Sequence, residues 1–153
     1  MKTVDVVVIE LSSPILIGIY ENQTLIETFS SDEYTSEALP ILFKKILEKY
    51  KLENIIYTKG PGSFMAIKVA YIFLKSMSVL KKIPLFATDA FYFNANTPIK
   101  AIGKLHFVKI AQDIKTQKLE IAPDVTFSLP NVLDYNEFST TSTPLYMISA
   151  VGQ

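Results

Sequence analysis

The stretch that most constrains this chain runs from Asn54 to Lys82: a short apolar run, a Gly-Pro-Gly turn, then a long apolar segment. Asn54-Ile55-Ile56-Tyr57-Thr58 has the β-branched and aromatic character of a buried strand. Lys59-Gly60-Pro61-Gly62 cannot prolong it, because glycine admits unusual backbone angles and proline has no N–H for the ladder. Ser63 stands where an N-cap belongs, and from Phe64 the pattern is helical. On a helix, Lys68, Lys75 and Lys82 share one narrow stripe, flanked by Met65, Ile72 and Val79, with Val69, Phe73 and Leu80 read as opposing it. Ala66, Ala70, Met77, Ile67, Leu74 and Tyr71 fill the remainder. The apolar arc covers roughly 240°, against roughly 100° for a helix resting on one core. Either the helix is sandwiched inside its own domain, or part of the arc is kept for a partner.

The remaining composition narrows the classes. A chain of 153 residues with 49% hydrophobic content makes one domain or two small lobes with an ample core. Its net charge is zero and it contains no arginine, which argues against a self-sufficient nucleic-acid binder. Cysteine is absent, and His106 is the only histidine. A cysteine zinc site is excluded, and a histidine metal site or a Ser-His-Asp triad would rest on one residue. The opening run, broken by Asp5 and Glu10, is too short and charged for a signal peptide, and Lys68 and Lys75 interrupt the best candidate for a membrane span. A cytoplasmic protein with no membrane contact is the expectation.

Taken in order, Val4–Leu11, Ile15–Tyr20 and Thr24–Phe29 read as an antiparallel meander. Leu39, Leu42, Phe43, Ile46, Leu47 and Tyr50 recur at helical spacing, with Pro40 expected in the first turn or at a kink. The strand 54–58, the long helix and a strand at Ile83–Ala87 complete the order βββαβαβ. That order resembles half of the fold shared by actin, hexokinase and Hsp70-type ATPases, the ASKHA fold. Residues 88–93 read as a short helix and 94–98 as a linker. Beyond them, strand-like runs at 99–102, 105–110, 118–121 and 125–129 precede a turn-rich stretch and Pro144-Leu145-Tyr146-Met147-Ile148. The expected class is therefore α/β: an actin-like N-terminal lobe over residues 1–93, carrying both helices, and a reduced, strand-rich second lobe over 94–153.

No catalytic, cofactor-binding or metal-binding residue emerges from the pattern. Gly60-Pro61-Gly62-Ser63 reads as a tight turn with an N-cap or as a phosphate cradle, but it lacks the Walker lysine and the dinucleotide glycine spacing. Glu10, where an actin-like ATPase places an acidic metal ligand, stands alone.

Gly60-Pro61-Gly62-Ser63-Phe64, between strand and helix and followed by Lys68, resembles the GPGSFTGLR signature of the TsaB (YeaZ) family. Ser36-Glu37-Ala38-Leu39-Pro40 resembles that family's HSERLLP segment, Ile9-Glu10-Leu11-Ser12 its IDTS strand end, and Pro144-Leu145-Tyr146 its closing PxYLR. Thr35, Glu10, Met65, Ala66, Ala70 and Lys68 depart from the family residues at their positions. The resemblance implies a non-catalytic scaffold, without cofactor, for synthesis of threonylcarbamoyladenosine in tRNA. Its partners would be a TsaD-like catalytic subunit, docked through the two N-lobe helices, and a TsaE-like ATPase, with tRNA reached only through the complex. The expected interface is Ser36, Leu39, Pro40 and Phe43 on the first helix, the turn Gly60, Pro61, Gly62 and Ser63, and Phe64, Ala66, Ile67, Ala70 and Leu74 on the second. Ala66 and Ala70 would let a partner helix come close. In isolation the exposed apolar face should pair with a second copy. Two other readings stand beside this one: an actin-like phosphotransferase or metallopeptidase-like enzyme, and a plain homodimeric structural module.

Overall fold

The computed structural model describes residues 1–124 and 126–145. Strands β1 (Lys2–Ile9), β2 (Ile15–Glu21) and β3 (Thr24–Ser31) form the expected antiparallel meander. Asn22 and Gln23, at φ of 49° and 70°, make the two-residue turn whose left-handed angles suit the twist of paired strands. Helix α1 (Thr35–Lys49) leads into β4 (Tyr50–Thr58), and α2 (Phe64–Lys81) into β5 (Leu85–Thr88). Both later strands run parallel to their neighbours, giving the order β3-β2-β1-β4-β5. The central strands are continuous apolar runs because both their faces are covered. Val4, Val6, Val8, Ile55 and Tyr57 pack toward the helices, while Val7, Ile9 and Ile56 pack on the opposite side.

Two local expectations need revision. Tyr50 belongs to β4 rather than to the helix, and its amide still bonds the Ile46 carbonyl as the chain turns. Tyr50 is buried either way, so helical spacing could not exclude a strand. Pro40 lies beyond the first turn of α1, and the helix continues through it; Pro40 has no N–H to give the Ser36 carbonyl. The Ser63 hydroxyl does cap α2, accepting from the Ala66 amide at 3.4 Å.

A one-turn 3-10 helix (Ala90–Phe93) leads to a second, antiparallel sheet of β6 (Ile99–Ile102), β7 (Leu105–Ile110) and β8 (Asp113–Lys118). The strand expected at 118–121 thus ends at Lys118 instead of starting there. Asp113-Ile114-Lys115-Thr116-Gln117-Lys118 is a polar edge strand with little hydrophobic signal. Val125 lies outside the described residues, and 126–129 are not a strand. Residues 127–138 instead strap across the face of the first sheet opposite α1 and α2, and 139–145 continue past β5 toward Tyr57 and Gly60. Ser128 donates to the Phe93 carbonyl at 2.9 Å, Leu25 to Asn131 at 2.9 Å, Leu133 to Gln23 at 2.9 Å and Ser139 to Ala87 at 2.8 Å. Leu129, Leu133 and Phe138 pack with Val7, Ile9 and Ile56. Of the closing motif, only Pro144 and Leu145 lie within the described residues. Among those residues no helix is long and apolar enough to cross a membrane.

Candidate functional site

Helices α1 and α2 lie side by side on the sheet, joined by the edge-to-face pair Phe43–Phe73 with ring centroids 5.5 Å apart. The apolar arc of α2 is divided between two uses. Ala70 and Leu74 are buried against the sheet, as are Leu39 and Phe43 of α1, and Ile67 is buried beside Gly60. These five residues, expected at a partner surface, belong to the chain's own core and have no side-chain area to offer. Ala66 is half-buried, so the Ala66–Ala70 step turns inward and lets α2 sit close to its own sheet. Gly60, Pro61 and Gly62 are buried too; of the expected surface, Ser36, Pro40 and Ser63 are exposed and Phe64 is half-buried.

The opposite side of α2 carries an uncovered apolar row. Met65, Ile72 and Val79 are 61%, 55% and 65% exposed, and Leu80 is 82% exposed. Leu80, placed by sequence on the face away from the lysines, lies in the last turn, where the helix has run past its cover. Ile41 of α1 is also exposed, at 56%, but does not line the groove between the helices. Between the helices a groove of about 360 Å³ is lined by Thr35, Ser36, Pro40, Val69, Ile72, Phe73 and Ser76. Lys68 and Lys75 are exposed beside the Met65–Ile72 row on α2. The sequence carried a signal for the row: Met65, Ile72 and Val79 flank the lysine stripe, which marks the direction of water.

The turn before α2 is packed shut. A Cβ on Gly62 would stand 2.8 Å from the Leu11 side chain, and one on Gly60 would stand 3.0 Å from the Leu145 carbonyl oxygen. Leu145 donates to the Lys59 carbonyl at 2.7 Å, Ala90 to the Gly60 carbonyl at 2.8 Å, and the Tyr57 hydroxyl donates to the Ser142 carbonyl. Glu10, just past β1, is buried, and neither carboxylate oxygen completes a hydrogen bond of good geometry. The Thr58 hydroxyl donates instead to the Val8 carbonyl at 2.9 Å. Burial pushes the Glu10 carboxyl up to about 8, with its own backbone and Thr58 pulling it back only in part.

This arrangement matches known structures by shape. It superposes on YeaZ from Pseudomonas aeruginosa with a TM-score of 0.60 at 10% identity, over 78% of this chain and 65% of that one. The fold is YeaZ-like. A second Pseudomonas aeruginosa structure, of an uncharacterized protein with similarity to the peptidase YeaZ, gives a TM-score of 0.59 at 10% identity over the same shares. The chain therefore spans slightly under two thirds of the length of its YeaZ-like neighbours. No family model matches the sequence, and no curated protein matches it.

Proposed function

We propose that this chain is a non-catalytic scaffold subunit in the synthesis of threonylcarbamoyladenosine on tRNA. Its partner is a TsaD-like catalytic subunit, which docks on the α1/α2 face, and a TsaE-like ATPase joins the pair. The observation that carries this reading is the uncovered row Met65, Ile72 and Val79, on the helix that follows the Gly60-Pro61-Gly62-Ser63 turn. A row of large apolar side chains facing water beside a groove is the usual mark of a protein partner. The docking surface is Ser36, Pro40, Met65, Val69, Ile72, Ser76 and Val79, shifted outward from the residues first expected. Strand order β3-β2-β1-β4-β5, with both helices on one face, supports an actin-like N-terminal lobe.

The non-catalytic reading rests on packing. Leu11 packs where a side chain on Gly62 would stand, and Ile67 and Leu145 where one on Gly60 would. Without the partner, two copies pair through the same face. The reading is tested by depleting the protein in its own cells and measuring the modified nucleoside in digested tRNA by mass spectrometry. Loss of threonylcarbamoyladenosine, restored by the wild-type chain, is expected; an unchanged level contradicts the assignment.

A further inference from the structure

Glu10 stands directly past β1 and is 3% exposed, and neither of its carboxylate oxygens has a good hydrogen-bond partner among the described residues. The groups that act on the carboxyl are its own backbone and the backbone and hydroxyl of Thr58, at the end of the neighbouring strand β4. That hydroxyl is committed elsewhere, since it donates to the Val8 carbonyl at 2.9 Å. The titratable residues on either side of Thr58 are Tyr57, whose hydroxyl donates to the Ser142 carbonyl, and half-buried Lys59. Neither is among the groups that act on Glu10. At this end of β1 the next strand, β2, brings Ile15 and Leu16, and the buried side of α2 carries Ile67, Ala70 and Leu74. No cation is placed to balance a charge on Glu10.

A neutral carboxyl tolerates such surroundings, but a carboxylate must be given donors or water. Leu11, next after Glu10, has its methyl groups where a Cβ on Gly62 would stand, and Thr58 lies two residues before Gly60. Both strand ends that hold the carboxyl therefore run straight into the turn that starts α2, and one of them has to shift to let donors or water in.

We propose that Glu10 and Thr58 form a proton-operated latch at the foot of α2. With the proton on Glu10 the latch is shut, in the arrangement seen here. When the carboxyl gives its proton to solvent, the Thr58 hydroxyl turns from the Val8 carbonyl to the carboxylate, water follows, and the Leu11 side chain withdraws from Gly62. The opening is local, because the ladders of the five-stranded sheet do not depend on either side chain. Burial sets the release on the alkaline side of neutrality, near 8.

The test is a pH titration of the full chain by NMR, following the Glu10 carboxyl carbon, the Leu11 and Thr58 methyl groups and the cross-peak between Leu11 and Gly62. In the wild type all of these should change with one midpoint near 8, the cross-peak being lost above it, while the Val6 and Ile55 methyl groups stay fixed. In Glu10→Gln the Leu11 and Thr58 signals should stay level. Thr58→Val keeps the shape of the side chain and removes the hydroxyl, so the carboxylate loses a donor and the midpoint should rise by about one pH unit. A side chain that only fills space would leave it where it is. A carboxyl that titrates near its ordinary 4.5, a Leu11–Gly62 contact that survives ionisation, or core methyl groups that move along with Leu11 would each overturn the proposal. So would a Thr58→Val midpoint equal to that of the wild type. If either variant fails to fold, the wild-type titration decides alone.

Discussion

A carboxyl buried at the end of β1 without a good hydrogen bond makes folding depend on pH. Glu10 has an ordinary value of 4.5 and a folded value of about 8. Below 4.5 both states hold the proton, and the full stability is present. Between the two values the unfolded chain has released its proton and the folded chain has not, so stability falls by about 1.4 kcal/mol per pH unit. Above about 8 the folded carboxyl ionises as well and the slope ends. Glu10→Gln removes that proton from the balance. Its advantage over the wild type in urea midpoint should grow steadily from pH 4.5 toward pH 8; parallel curves would show that Glu10 ionises freely. Ala70 makes the complementary point about packing. It is fully buried against the sheet, so Ala70→Tyr should overpack the core and cost roughly 1–3 kcal/mol in chemical denaturation. An unchanged melting temperature would move Ala70 back to the surface.

At the scale of elements, the segment 127–145 contributes core as any strand does, although it has no regular structure apart from one 3-10 turn. Leu133 sits in it among Val7, Ile9, Tyr20 and Ile56. Leu133→Ala should therefore cost about 2–4 kcal/mol, read from the unfolding midpoint, as for a core leucine. A loss within a few tenths would mean that the strap only rests on the sheet. This segment was the least legible part of the sequence. Its hydrogen bonds run to Asp5, Gln23, Leu25, Ala87 and Phe93, all distant in the chain, and no local period records such a pairing. β8 was misplaced because a solvent-edge strand needs no hydrophobic alternation. The β1–β2–β3 meander, β4 and α2 were legible because burial on one or both faces writes the pattern into every turn. The interface fared less well. Ile67 and Leu74 read as surface because a helix apolar all round does not say which flank meets its own sheet. The bulge at Glu53 leaves no mark in the sequence.

The whole molecule combines a neutral, arginine-free surface with one uncovered apolar face. Specific tRNA binding draws on counterion release at several phosphates and needs clustered cations. The isolated chain should bind tRNA weakly in filter binding; sub-micromolar, salt-sensitive affinity would contradict this. The apolar face faces a different requirement, since a stable contact buries on the order of 800 Å² per partner. The central claim is that the outward row of α2 supplies that contact for a TsaD-like subunit. Sedimentation velocity of the purified chain with the TsaD-like protein from the same cells tests it most directly, using wild type and Ile72→Asp. Ile72 is 55% exposed, so the aspartate can point into water and leave the melting temperature unchanged. The account predicts a heterodimer for wild type and an affinity lower by more than about tenfold for Ile72→Asp, a loss above about 1.4 kcal/mol. A well-folded Ile72→Asp that binds as tightly as wild type, or a wild type that forms no complex, would contradict it.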